Sequence, residues 1–149
     1  MMLFCMAFSL PVSSHKTLTQ SLRKKGLRPT KQRACVYGLI LNRGDHPTAD
    51  DIYIRVKKEL PGTSFATVYN CLETLVGCGL VRQVHMERSP ARYCSNLSPH
   101  AHFKCNKTGM IYDIQIDEDT LSRIKDLIPA GFTTNNIDLS FSGTGNKDN

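Results

Sequence analysis

At 149 residues, 40% of them apolar, the chain can bury a real core in one ordinary domain or two small ones, but not in two large ones. Lys and Arg number 19 against 13 Asp and Glu, and the excess is one-sided: residues 16–93 carry 14 basic against 6 acidic side chains, residues 94–149 carry 5 against 7. A basic first half joined to a near-neutral second half points to a polyanion-binding module coupled to a sensing or assembly module, with an ordinary solvated basic surface as the plainer alternative.

Residues 1–10 form an apolar run followed by Pro-Val-Ser-Ser. The run is too short to span a bilayer as a helix and has no basic leader, so residues 1–15 are expected to be a disordered extension rather than a signal peptide. A short basic helix is expected over residues 17–25. Thr30 can cap a second helix, in which Cys35, Val36, Leu39 and Ile40 make an apolar stripe. After Gly44, Thr48 can cap a third helix with Asp50 and Asp51 in its first turn, where carboxylates favour the helix dipole. Ile52, Val56 and Leu60 are its expected buried face, and Pro61-Gly62 stops it.

Ser64 opens a fourth helix. Phe65, Val68, Leu72 and Leu75 are expected on its inner side, and Thr67, Asn70 and Thr74 on its outer side. A helix, a Pro-Gly turn and a second helix with small hydrogen-bonding residues near its start is what a helix-turn-helix needs, because the first turns of the recognition helix enter the major groove. Ser64, Thr67, Tyr69 and Asn70 are therefore the candidate base-contacting residues. Residues 80–85 and 91–95 alternate like strands around a polar turn, which would make a wing. Beyond a boundary near residues 95–98, strands are expected over 103–105 and 110–116, a helix over 117–128 and a last strand over 132–141. Residues 143–149 are expected to be a disordered tail.

The chemistry concentrates between Arg92 and Asp113. If the segment around His100 and His102 is extended, both imidazoles project from one face, since side chains in a strand repeat every second residue. Cys94 lies upstream of a Ser-Pro turn, and Asp113 lies in the alternating run that follows. A thiolate, two imidazoles and a carboxylate suit zinc or another divalent transition metal. Surface histidines and a buried apolar cysteine would leave the same pattern. The six cysteines are too sparse for a disulfide scaffold, and Cys35, Cys71 and Cys78 fall in helical patterns beside apolar residues, so they are expected to be reduced core side chains.

Three pieces, His46-Pro-Thr-Ala-Asp-Asp-Ile-Tyr53, Ala66-Thr-Val-Tyr-Asn70 and His100-x-His102 with Asp113 downstream, resemble the ferric-uptake-regulator (Fur) family of bacterial metal-dependent repressors. Within it they are most similar to the peroxide-sensing (PerR) branch. The resemblance runs from about Leu27 to about Ile116. It implies an α+β chain with a winged helix-turn-helix DNA-binding domain over residues 16–95 and a small α/β dimerisation and metal-binding domain over residues 99–142. It further implies one regulatory divalent metal per chain (iron, manganese or zinc) held by His46, Cys94, His100, His102 and Asp113. Arg28 matches a family position that reaches the minor groove. A cytoplasmic homodimer on a double-stranded operator, with no membrane partner and no enzymatic activity, completes what the resemblance implies.

The chain departs from the family twice. Cys105 is followed by Asn-Lys-Thr, and no cysteine follows it, so the four-cysteine structural zinc of most members is not expected. Cys94 stands where iron- and peroxide-sensing relatives usually carry a carboxylate and zinc-sensing ones often carry cysteine, whereas Asp113 resembles the peroxide-sensing branch. The expected function is a metal-dependent repressor that responds to peroxide or iron, with a zinc-responsive repressor as the alternative. From other classes come a zinc hydrolase, which lacks a His-x-Glu or His-Glu-x-x-His base, and a secreted binding protein bridged between Cys94 and Cys105.

Overall fold

The structure, a computed structural model, describes residues 10–146. Its elements run α1 (Val12–Lys24), α2 (Lys31–Arg43), α3 (Ala49–Glu59), α4 (Phe65–Gly77), β1 (Arg82–Val84), β2 (Arg92–Cys94), β3 (His100–Cys105), β4 (Ile111–Gln115), α5 (Glu118–Lys125) and β5 (Ser140–Gly143). The chain divides into two compact units between Leu97 and Ser98.

The first unit is built from helices whose ends are written locally. The Thr30 hydroxyl accepts the Arg33 N–H at 3.2 Å, and Ser64 does the same for Thr67 at 3.2 Å, each satisfying a donor that the helix itself cannot. Thr48 and Asp51 form a reciprocal capping box at the start of α3. Gly44 ends α2 in the left-handed region at φ 59, and Gly79 at φ 71 lets the Leu80 N–H return to the Leu75 carbonyl after α4.

Leu18 and Leu22, Val36 and Ile40, Ile52 and Val56, and Val68, Leu72 and Leu75 then meet in one buried core. Each such side chain contributes roughly 1.5–3 kcal/mol by leaving water. Because α2 packs against both α3 and α4, it is buried over the whole run from Cys35 to Ile40, not along one stripe. Burial pushes the Cys35 thiol up to about 12, with Glu59 and Cys71 adding to the effect, so it stays protonated and inert. Cys71 and Cys78 also carry free thiols, and the described cysteines form no disulfide among the described residues. The antiparallel β1–β2 hairpin follows α4 as a wing, with Arg82 opposite Cys94.

In the second unit β3 is the central strand, antiparallel to β4 on one edge and parallel to β5 on the other. The connection through α5 carries the chain from one edge to the other. Ala101 and Cys105 are buried, but α5 buries no residue, and Met110, Leu127, Phe132 and Phe141 are exposed. Cys105 closes the β3–β4 turn by accepting the Thr108 N–H on its sulfur at 3.4 Å, while its N–H donates to the Met110 carbonyl at 2.9 Å.

Several expectations need correction. Val12 to His15 belong to α1, not to a disordered extension, because Pro11 precedes the first turn, where its missing N–H costs nothing, and Leu10 packs over Gly38; residues 1–9 lie outside the described residues. The expected last strand over 132–141 is displaced to Ser140–Gly143, because a strand forms where the chain finds β3 as a partner, from His102 to Cys105, and residues 132–139 form none. Strand β5 carries through Gly143, the first residue of the expected tail; residues 147–149 lie outside the described residues. Phe65 does not join the inner face of α4. It is 41% exposed, and Cys71 takes the inward place beside Val68, Leu72 and Leu75.

Candidate metal centre and nucleic-acid interface

In the second unit the strand geometry delivers three ligand atoms to one point. His100 and His102 stand two residues apart on β3, and Asp113 on β4 lies directly opposite His102. The two Nε2 atoms are 3.0 Å apart, and Asp113 Oδ1 lies 3.4 Å from His102 Nε2 and 3.7 Å from His100 Nε2. Both imidazoles are buried, whereas Asp113 retains 31% side-chain exposure. His100 Nδ1 sits 2.6 Å from the Ser98 carbonyl. A carbonyl can only accept, so Nδ1 carries the proton there and Nε2 keeps its lone pair for a metal. Two imidazoles and a carboxylate converging this closely fit a divalent transition ion.

In the first unit His46 and Cys94 are brought together by backbone lacing. Arg92 donates from Nη1 to the His46 carbonyl at 3.1 Å, the Tyr93 N–H donates to the Pro47 carbonyl at 2.9 Å, and Thr48 bridges antiparallel to Arg92. His46 thus lies beside β2, and one of its ring nitrogens is within 4.8 Å of the Cys94 sulfur. Both side chains are buried. His46 takes φ 52, a left-handed conformation that costs a residue with a Cβ about 1 kcal/mol and is tolerated comparatively well by histidine. Asp45 is fixed by a bidentate pair with Arg55. Although burial opposes it, the Arg55 hydrogen bond and charge hold the Asp45 carboxyl below its usual range.

The candidate DNA-contacting residues divide in two. The hydroxyls of Ser64 and Thr67 are 3.0 Å apart, and that of Ser64 caps α4 by accepting the Thr67 N–H. Tyr69 and Asn70 are exposed, as is Arg28 after α1. Sequence reasoning missed Arg92 as the anchor of His46 and the Ser98 carbonyl as the orienter of His100. It also missed Phe65 as a surface residue. The 3–4 spacing of Val68, Cys71, Leu72 and Leu75 already completes an inner stripe without it.

Residues 24–142 match the Ferric uptake regulator family. The chain belongs to that family. The peroxide-responsive repressor PerR of Staphylococcus epidermidis is 38% identical over 101 residues, 66% of this chain and 67% of the relative. Among solved structures, the Campylobacter jejuni peroxide stress regulator is 34% identical over 86% of this chain and 96% of its own, with a TM-score of 0.65. The Helicobacter pylori ferric uptake regulator Fur covers 95% of both chains at a TM-score of 0.75; at 21% identity it speaks to the fold alone.

The fold class is thus α+β, a winged-helix unit followed by a small sheet unit, as the sequence led us to expect. Family membership makes the chain a metal-responsive transcriptional regulator of the Fur and PerR type and not an enzyme, which removes the zinc-hydrolase reading. No helix among the described residues is long and apolar enough to cross a membrane.

Proposed function

We propose that this regulator is a cytoplasmic homodimeric repressor that binds a double-stranded operator through α4 and responds to peroxide through one iron ion per chain. Its ligands are His46, Cys94, His100, His102 and Asp113. The observation that carries the reading is the corner of His100, His102 and Asp113, in which three donor atoms of the right type lie within 3.7 Å of one another. The identities of 38% to the Staphylococcus epidermidis repressor and 34% to the Campylobacter jejuni regulator favour peroxide over other inputs.

Each side chain has a task. His100, held by the Ser98 carbonyl, and His102 offer Nε2, Asp113 supplies charge, and His46 and Cys94 supply an imidazole and a thiolate from the first unit. An ion bound by donors of both units stabilises the arrangements in which all of them reach it, and repression follows if those arrangements present α4 at operator spacing. Bound iron supplies one-electron chemistry toward peroxide. Oxidation of His46, of His100 or of the Cys94 thiolate removes a donor and weakens the hold on the ion. On the DNA side, Asn70 can pair its amide with adenine N6 and N7, worth roughly 1–3 kcal/mol of discrimination.

Cys94 favours a second reading, a zinc-responsive repressor, because thiolate is a soft ligand. Mass spectrometry of the iron-loaded protein after mild peroxide, paired with operator binding, separates the two. Modified ligands with lost DNA binding support peroxide sensing. An unmodified ligand set that still binds the operator eliminates it, and binding equally tight after complete demetallation sinks both versions.

A further inference from the structure

Phe65 is a large apolar side chain left 41% exposed on the first turn of α4, and Tyr69, one turn on, is also 41% exposed. The core does not need either ring, since Val68, Cys71, Leu72 and Leu75 already fill the inner face. The outer face carries Phe65, Ala66, Tyr69, Asn70 and Glu73. The two rings are not loose. Phe65 meets Tyr53 of α3 edge-on at 5.4 Å between centroids and 79°, and lies nearly parallel to Tyr69 at 6.4 Å and 24°. The Lys57 ammonium stands 5.4 Å from the centre of the Tyr53 ring. A braced row thus runs Lys57, Tyr53, Phe65, Tyr69 from one helix of the helix-turn-helix to the other.

An exposed apolar strip on a module with 14 basic against 6 acidic residues over positions 16–93 suits a polyanion that also offers apolar groups. In the major groove the thymine C5-methyl is such a group on a base edge. The spacing fits as well. Rings 6.4 Å apart span one to two base steps of about 3.4 Å, so each ring can meet the methyl of its own thymine.

We propose that Phe65 is a specificity-determining residue that reads a thymine C5-methyl, held in place by the Tyr53 ring, with Tyr69 reading a second thymine one or two steps along. This rests on the reading that α4 enters the major groove. It makes the preferred operator carry two thymines at that spacing, and it assigns Tyr53 as a positioning residue for Phe65.

The test uses full-length, metal-loaded protein and a duplex that this protein enriches from a random-sequence pool. Each thymine is replaced singly by deoxyuridine, which deletes only the methyl, and affinity is measured at fixed salt. We expect two positions at which deoxyuridine weakens binding about threefold to fivefold, the worth of one buried methyl. In Phe65→Ala the penalty should vanish at one position and persist at the other, and Tyr69→Ala should show the reverse. Phe65→Leu, which keeps an apolar tip and serves if the alanine variant folds poorly, should retain part of it. Two results overturn the assignment: no deoxyuridine penalty anywhere in the wild type, or a Phe65→Ala pattern identical to that of Tyr69→Ala, which would make Phe65 only a brace. If the pool enriches no duplex, the DNA-binding reading itself fails, and this proposal falls with it.

Discussion

Thr48→Ala should loosen the start of α3 by an amount that can be worked from two hydrogen bonds. The Thr48 hydroxyl accepts the Asp51 N–H at 3.2 Å, and the Asp51 carboxylate accepts the Thr48 N–H at 3.0 Å. Removing the hydroxyl strands one amide at an exposed helix end, where water can partly replace it, so the expected cost is that of a lost N-cap, about 1 kcal/mol. That corresponds to roughly a fivefold loss of hydrogen-exchange protection for the first α3 amides, read by NMR in the intact chain. The Thr48 N–H bond holds the Asp51 carboxyl below its usual range, against a smaller opposing effect of burial. A carboxyl whose folded value is depressed stabilises the fold above its ordinary value, near 3.9, and loses that contribution as pH falls through the folded value. The protection difference between wild type and Asp51→Asn should therefore be complete at pH 6 and shrink below about pH 4. The Thr48→Ala deficit should shrink only in part, because the hydroxyl's bond to the Asp51 N–H does not titrate whereas its support of the Asp51 carboxylate does. A Thr48→Ala effect below about twofold at pH 6, or an Asp51→Asn difference that grows on acidification, would refute the reasoning.

Other consequences are as direct. Arg28→Ala should lower the slope of log affinity against log salt by about 0.9 per protomer if its guanidinium neutralises one phosphate; an unchanged slope would remove Arg28 from the interface. Cys94→Asp should shift metal preference away from zinc toward manganese and iron in competition titrations, and an unaltered preference would mean that Cys94 is not a ligand. Leu127 and Phe132 in the second unit are 78% and 73% exposed. A charge there, as in Phe132→Glu, should turn a dimer into monomer by light scattering at micromolar concentration, and a variant that stays dimeric would place the interface elsewhere.

The sequence by itself determined what depends on near neighbours. Thr30, Thr48 and Ser64 announced three helix starts because a cap is made within three residues of itself. The pairing of His100 with His102 on one face followed from the two-residue period of a strand. Cys94 and Asp113 were nominated by residue type and spacing, and His46 only by the resemblance of its motif. What only the tertiary structure decided depends on partners far along the chain. The placement of Asp113 beside His102 needed the β3–β4 register, where a slip of one residue would have turned the carboxylate to the other face. The position of the last strand was set by its parallel register with His102 to Cys105 of β3, and the reach of α1 toward Val12 by the seat that Leu10 finds on α2. Phe65 is the sharpest case. Its apolar side chain and helical spacing both argue for the core, yet whether a position at the margin of a stripe is covered depends on what packs over it, and on the first turn of α4 the ring, flanked by Tyr53 and Tyr69, is left 41% exposed.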